Sequence, residues 1–135
     1  MRNILFILSA FMFFACKDKD SGISSSDYEL STNGLVLEKW KNENTTALDM
    51  QADPTLKEVK TIGQGAFAGH KNLKTITLPT QLITIEKEAF FGTSIKSVSI
   101  PSGVRVIKQD AFNASTLTSV QFSEGLTDIE EGGFV

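Results

Sequence analysis

Side chains able to do covalent or metal chemistry are scarce in this chain. His70 is its only histidine and Cys16 its only cysteine. A histidine-based triad and a multi-histidine metal site both need partners that the sequence does not offer. A single cysteine cannot close a disulfide within the chain. Gly63-Gln64-Gly65 lacks the later glycines of a phosphate-binding loop. Glu86, Glu88, Glu124, Asp128, Glu130 and Glu131 fall in turns, where charge means solvated surface and nothing points to an acid–base pair. The expectation is a protein that is not an enzyme and takes neither metal nor cofactor. What recurs instead is a set of uncharged hydrogen-bonding groups: Thr75 and Thr77, Ser97 and Ser99, Ser119 and Gln121. Hydroxyls and an amide of this kind suit a glycan or a polar protein surface.

Spacing identifies the elements that carry them. Ile76, Val98 and Val120 each lie between two of these polar residues, so a strand points the apolar side chain one way and the polar pair the other. These strands belong to a repeat. Leu73-x-x-Ile76-x-Leu78-Pro79-x-x-Leu82-x-x-Ile85-x-x-x-Ala89-Phe90 returns 22 residues on as Ile95, Val98, Ile100, Pro101, Val104, Ile107, Ala111 and Phe112. It returns again as Leu117, Val120, Phe122, Leu126, Ile129, Gly133 and Phe134, with Ser123 in the proline position. Val59, Ile62, Ala66 and Phe67 carry the pattern upstream. The column Ile62, Ile85, Ile107, Ile129 steps by 23, 22 and 22, and the extra residue falls between Phe67 and Leu73. One such repeat cannot bury its own apolar face, so copies must stack into a solenoid at about 4.8 Å spacing. Pro79 is expected to end the strand. Leu82 and Ile85, three apart, suit a helical or coil turn that folds the chain back. Ala89-Phe90 closes the coil, the small residue leaving room for the ring.

The pattern LxxIxLPxxLxxIxxxAF resembles the BspA-like leucine-rich repeat, a family found mostly in bacterial surface proteins, over roughly Val59 to Phe134. The resemblance implies a leucine-rich-repeat solenoid: a parallel β-sheet of stacked 22–23-residue repeats, with short helical or coil turns on the convex side. It also implies adhesion to host or matrix proteins and attachment to other cells. Two departures stand out. The cysteine that often follows the phenylalanine by three residues is replaced near that place by His70, Ser94 or Ser115, and the glycine after the isoleucine survives only as Gly63. The six polar strand residues would line the concave sheet face, where repeat proteins commonly bind.

Ahead of the repeats the chain divides into segments. Residues 1–15 have a short charged start and an apolar run from Ile4 to Ala15, too short to span a bilayer and suited to a signal peptide. Phe13-Phe14-Ala15-Cys16 resembles a bacterial lipobox, which makes Cys16 the lipid attachment site. Residues 16–27 read as the lipidated cysteine and a flexible tether, being small and polar. Lys17-Asp18-Lys19-Asp20 resembles a short charged signal for export to the outer face of the cell. Residues 28–58 read as an N-terminal cap. Asn33-Gly34 signals a two-residue hairpin, Trp40 covers the first coil, and Leu48-x-Met50 supplies a first strand. Residues 59–135 are the repeats, the last incomplete: the sequence stops at Phe134-Val135, where a next strand would begin.

Charge narrows the partners. Loss of residues 1–15 lowers Lys+Arg from 13 to 12 against 16 Asp+Glu, moving the net charge from −3 to −4. Such an acidic chain is not a nucleic-acid binder. Its membrane association is expected through lipid on Cys16, not through a basic patch. The expected protein is a bacterial, lipid-anchored module of the outer membrane, exposed at the cell surface, whose partner is an extracellular protein or a glycan. Self-association through an open C-terminal end is a further expectation, since exposed apolar patches seek partners. Two competing readings are a truncated, non-binding remnant of a longer repeat protein and an accessory glycan-binding lipoprotein.

Overall fold

A computed structural model describes residues 22–134; Cys16 and the other residues on which the signal peptide and lipobox readings rest lie outside them. The chain winds as a β-solenoid of about four turns with roughly 22-residue spacing. Each coil supplies two short strands. One series is β3 (Ala47–Asp49), β5 (Thr75–Thr77), β7 (Ser97–Ile100) and β9 (Ser119–Phe122). The other is β4 (Thr61–Ile62), β6 (Thr84–Ile85), β8 (Val106–Ile107) and β10 (Asp128–Ile129). A hairpin of β1 (Tyr28–Leu30) and β2 (Val36–Trp40) precedes both.

The second series adds to the expected turn a two-residue strand that follows it. The three-residue step from Leu82 to Ile85 begins in a turn, closed by the Leu82 N–H donating to Pro79 C=O at 3.1 Å. The chain then extends, and β-branched Thr84-Ile85 joins the neighbouring coil as a strand. Val104 repeats the turn onto Pro101 C=O at 3.1 Å. The result is an unbroken six-stranded sheet in the order β1-β2-β4-β6-β8-β10, parallel from β2 onward. Its register sets Leu37, Ile62, Ile85, Ile107 and Ile129 one above the other.

The aromatic column runs through the interior. Phe67, Phe90, Phe112 and Phe134 stack with centroids 4.9–5.0 Å apart and planes within 6–9°. The stack continues upstream through Trp40, 5.9 Å from Phe67, to Tyr28, 6.0 Å from Trp40. Trp40 is buried, and its Nε1–H donates to Asn42 C=O at 3.1 Å and Thr45 Oγ1 at 3.0 Å. It covers the first coil with its polar edge satisfied. Each fully buried phenylalanine contributes about 1.5–3 kcal/mol. Ala66, Ala89 and Ala111 beside the rings are fully buried too. In the last described coil the columns are less covered: Phe122 is 47 % exposed, Ile129 44 %, and Phe134 is half-buried.

Two local expectations change. The hairpin is not closed by Asn33-Gly34 alone; five residues, 31–35, separate its strands. Asn33 Oδ1 accepts from Leu35 N–H at 3.0 Å and from Ser31 Oγ at 2.7 Å, so the asparagine organises a wider loop. Gly34, at φ 75°, supplies the left-handed residue that closes it. The flexible segment expected over 16–27 does not include its described part. Ser24 and Asp27 form a capping box on a 3-10 turn at Ser25–Asp27. Asn42 Nδ2 donates to Asp27 Oδ1 at 3.1 Å, and Ile23 packs against the core.

Candidate functional site

Alternation along β5, β7 and β9 works as the spacing demands. Ile76 and Val98 point inward, buried, and Val120 is half-buried at the less covered end. Thr75, Thr77, Ser97, Ser99, Ser119 and Gln121 are all exposed on the opposite side. Register brings Ser97 beside Ser119 and Ser99 beside Gln121, while Thr75 lies beside Ala47 and Thr77 beside Asp49.

What sequence reasoning missed is a break in this face. β3 pairs with β5 and β7 with β9, but β5 and β7 belong to separate two-stranded sheets. Among the described residues no ladder joins β5 to β7. Thr75 N–H donates toward β3, to Thr46 C=O at 3.3 Å. Backbone groups alternate sides along a strand, so Ile76 turns its N–H and C=O to the seam. On the other bank Lys96 C=O faces β9, accepting from Thr118 and Ser119 N–H at 2.9 and 3.2 Å. Ser97 and Ser99 therefore turn their peptide groups toward β5. The break coincides with a change in loop length: Phe67 to Leu73 is six residues, whereas Phe90 to Ile95 is five. That difference was the one visible signal.

Two shallow depressions follow the seam. The first, about 270 Å³, has Ile76 and Val98 as its floor and Thr75, Ser97, Ser99, Ser119 and Gln121 around it. The second, about 240 Å³, continues along the strands through Thr77, Leu78 and Thr80, with Ser99 and Pro101 opposite. All six candidate residues line one or the other. No charged side chain lines either. The nearby Asp49 carboxylate is engaged with the Gln51 and Ala52 N–H groups at 3.0 and 3.3 Å. Thr80 is held by Gln51, whose Oε1 accepts from Thr80 N–H at 3.0 Å.

His70 lies elsewhere. It is buried edge-on to Phe67, with Nδ1 3.2 Å from Phe67 C=O and no protein partner at Nε2. The same column in the next coil is Thr93, not Ser94: Thr93 N–H donates to Phe90 C=O as His70 N–H does to Phe67 C=O. Thr93 Oγ1 is likewise buried and unpaired, whereas Ser115 Oγ donates to Phe112 C=O at 2.6 Å. Among the described residues no cluster of three His, Cys, Asp or Glu could hold a metal.

Comparison with known proteins agrees with this architecture. The family model described as BspA type leucine-rich repeat region matches residues 42–135 in six copies. The match starts upstream of residue 59, in keeping with β3 laddering onto β5. A crystal structure of a leucine-rich repeat protein from Eubacterium ventriosum superimposes with a TM-score of 0.61 at 24 % identity, over 76 % of this chain. The chain spans 29 % of the length of that protein. No curated protein matches the chain.

Proposed function

Because the chain belongs to the BspA-type leucine-rich-repeat family, we propose that it is a lipid-anchored binding module of the bacterial cell envelope. Residues 1–15 act as a signal peptide, Cys16 carries the lipid, and the protein sits at the outer membrane facing outward. It adheres to a host or matrix protein, or to other cells, through the strand face of β5, β7 and β9. The observation that carries this reading is the uncharged lining of the two depressions, with all six polar candidates exposed on one face. A face without charge or cleft chemistry is suited to contact, not catalysis.

Size favours weak single contacts. Three or four strands about 4.8 Å apart give a face only about 15–20 Å wide. Strands of three or four residues are about 10–13 Å long, so the face covers about 150–260 Å², well below the roughly 800 Å² per partner of a standard interface. Many lipid-held copies compensate by avidity. Beads densely coated with the mature chain should therefore hold a matrix protein or a target cell that the soluble chain hardly retains. Alanine at all six polar positions should abolish retention, and unchanged retention would refute the site. Anchoring has its own test: Cys16→Ala should leave an unprocessed or soluble form, and a substituted protein still in the outer-membrane fraction at unchanged mass would refute lipidation.

A further inference from the structure

The seam between β5 and β7 differs from the rest of the strand face in a way that selects a ligand. Elsewhere on that face, within β3–β5 and β7–β9, strand peptide groups are consumed in ladders. At the seam the peptide groups of Ile76, Ser97 and Ser99 face a gap that no ladder closes. Each offers one donor and one acceptor. Hydroxyls on both banks add groups that donate and accept alike. Ile76 and Val98 lie between these hydroxyls, with their side chains turned into the core, 8 % and 5 % exposed. Donors and acceptors therefore alternate along an uncharged strip.

We propose that this seam binds a neutral oligosaccharide, lying along the strands from Thr75 toward Thr80. The inference rests on the strand face being the binding surface and names what it takes. Sugar hydroxyls are donors and acceptors at once, matching the mixed peptide and hydroxyl edges. A phosphate or sulfate polymer finds no lysine or arginine lining the trough, and its charge would be desolvated without a partner. A globular protein partner finds no aromatic or arginine anchor there, the residues that dominate tight interfaces. Each depression is smaller than the roughly 300–1,000 Å³ that encloses a drug-sized ligand. The trough therefore grips one edge of an extended chain and leaves the rest in solvent.

The test is a titration of the isotope-labelled full chain, held in detergent micelles, with maltohexaose, cellohexaose, mannohexaose and chitohexaose. Amide resonances are followed throughout, with polyglutamate and heparin as charged controls. At least one neutral sugar should shift the amides of Ile76, Ser97 and Ser99, half-saturating at roughly 1 mM or above, as befits a contact without a buried anchor. The charged polymers should leave those amides in place. Ser99→Glu and, separately, Thr77→Glu on the opposite bank should each weaken the sugar response at least tenfold. Both positions are exposed, and an otherwise superimposable spectrum shows that the fold survives. Shifts confined to other residues, or undiminished in both variants, would overturn the proposal. If no sugar moves any amide while the same substitutions abolish bead adhesion, the face binds protein: the module reading stands and the sugar inference falls. Loss of neither would sink both.

Discussion

The two strand series of this solenoid are built from the same coils, yet one forms a continuous ladder and the other does not. From β2 through β4, β6 and β8 to β10 every strand pairs with the next. On the other side the ladder stops between β5 and β7. The continuous side has little to vary: its strands are mostly two residues long, and each isoleucine sits over another. The interrupted side carries longer strands and receives them from loops of unequal length. Continuity therefore belongs to the side where isoleucine sits over isoleucine, and the interruption falls on the side that bears the outward hydroxyls.

The largest expected effect lies in the aromatic column that both sides share. Phe90 has a ring on each face, whereas Phe134 has a stacked ring on one face and Phe122 at its edge. Phe90→Ala should cost about 3–5 kcal/mol in denaturant unfolding, and Phe134→Ala clearly less. Equal losses would mean that the far end is as well sealed as the middle. A pair of isoleucines then contrasts the two sides directly. Ile85→Ala, at a fully buried position of the continuous ladder, should cost about 2–5 kcal/mol. Ile76→Ala should cost less, because the void opens into the depression rather than into sealed core. The contrast fails if the two midpoints fall together.

Gly63 probes where the continuous ladder meets the hairpin. A Cβ there would come within 2.7 Å of Leu37 C=O, so Gly63→Ala should cost about 1–3 kcal/mol by overpacking. Later coils carry Glu86, Lys108 and Glu130 at that place. A neutral Gly63→Ala would show that the hairpin yields readily. Thr93→Val should raise stability by about 1 kcal/mol, since a buried hydroxyl without a partner loses its hydration uncompensated. A fall in melting temperature would reveal a partner for that hydroxyl. The smallest change in stability, and the sharpest for the seam, is expected from deleting Lys71, which makes the step from Phe67 to Leu73 match the next coil. The Ser97 and Ser99 amides should then exchange with solvent more slowly as β5 and β7 join. Unchanged exchange would mean that loop length does not cause the break.

Much of this was legible because it is periodic. The phenylalanine and isoleucine columns, the strands at Ile76, Val98 and Val120, and the outward row of hydroxyls repeat at one spacing. Side-chain alternation along a strand is a local property that a sequence states directly. Trp40 as cover for the first coil was legible for a related reason: a large ring beside the first repeat must end up on the stack. The second ladder was not, because residues three apart fit a helical turn or a turn followed by a two-residue strand equally well. Only the carbonyls of the neighbouring coil decide between them, as Lys60 C=O does by accepting from Ile83 N–H at 2.8 Å. The tie of Asp27 to the rest of the fold runs through Asn42, fifteen residues away. The seam coincides with one extra residue upstream of β5, and spacing within a coil does not say how that residue is absorbed. The sequence alone therefore determined the repeat, its core columns and the chemistry of its outward rows, since each follows from residue type and spacing within one coil. Tertiary structure alone decided the second ladder, the hairpin loop, the place of Thr93 and the break between β5 and β7, since each depends on hydrogen bonds or packing between groups that only folding brings together.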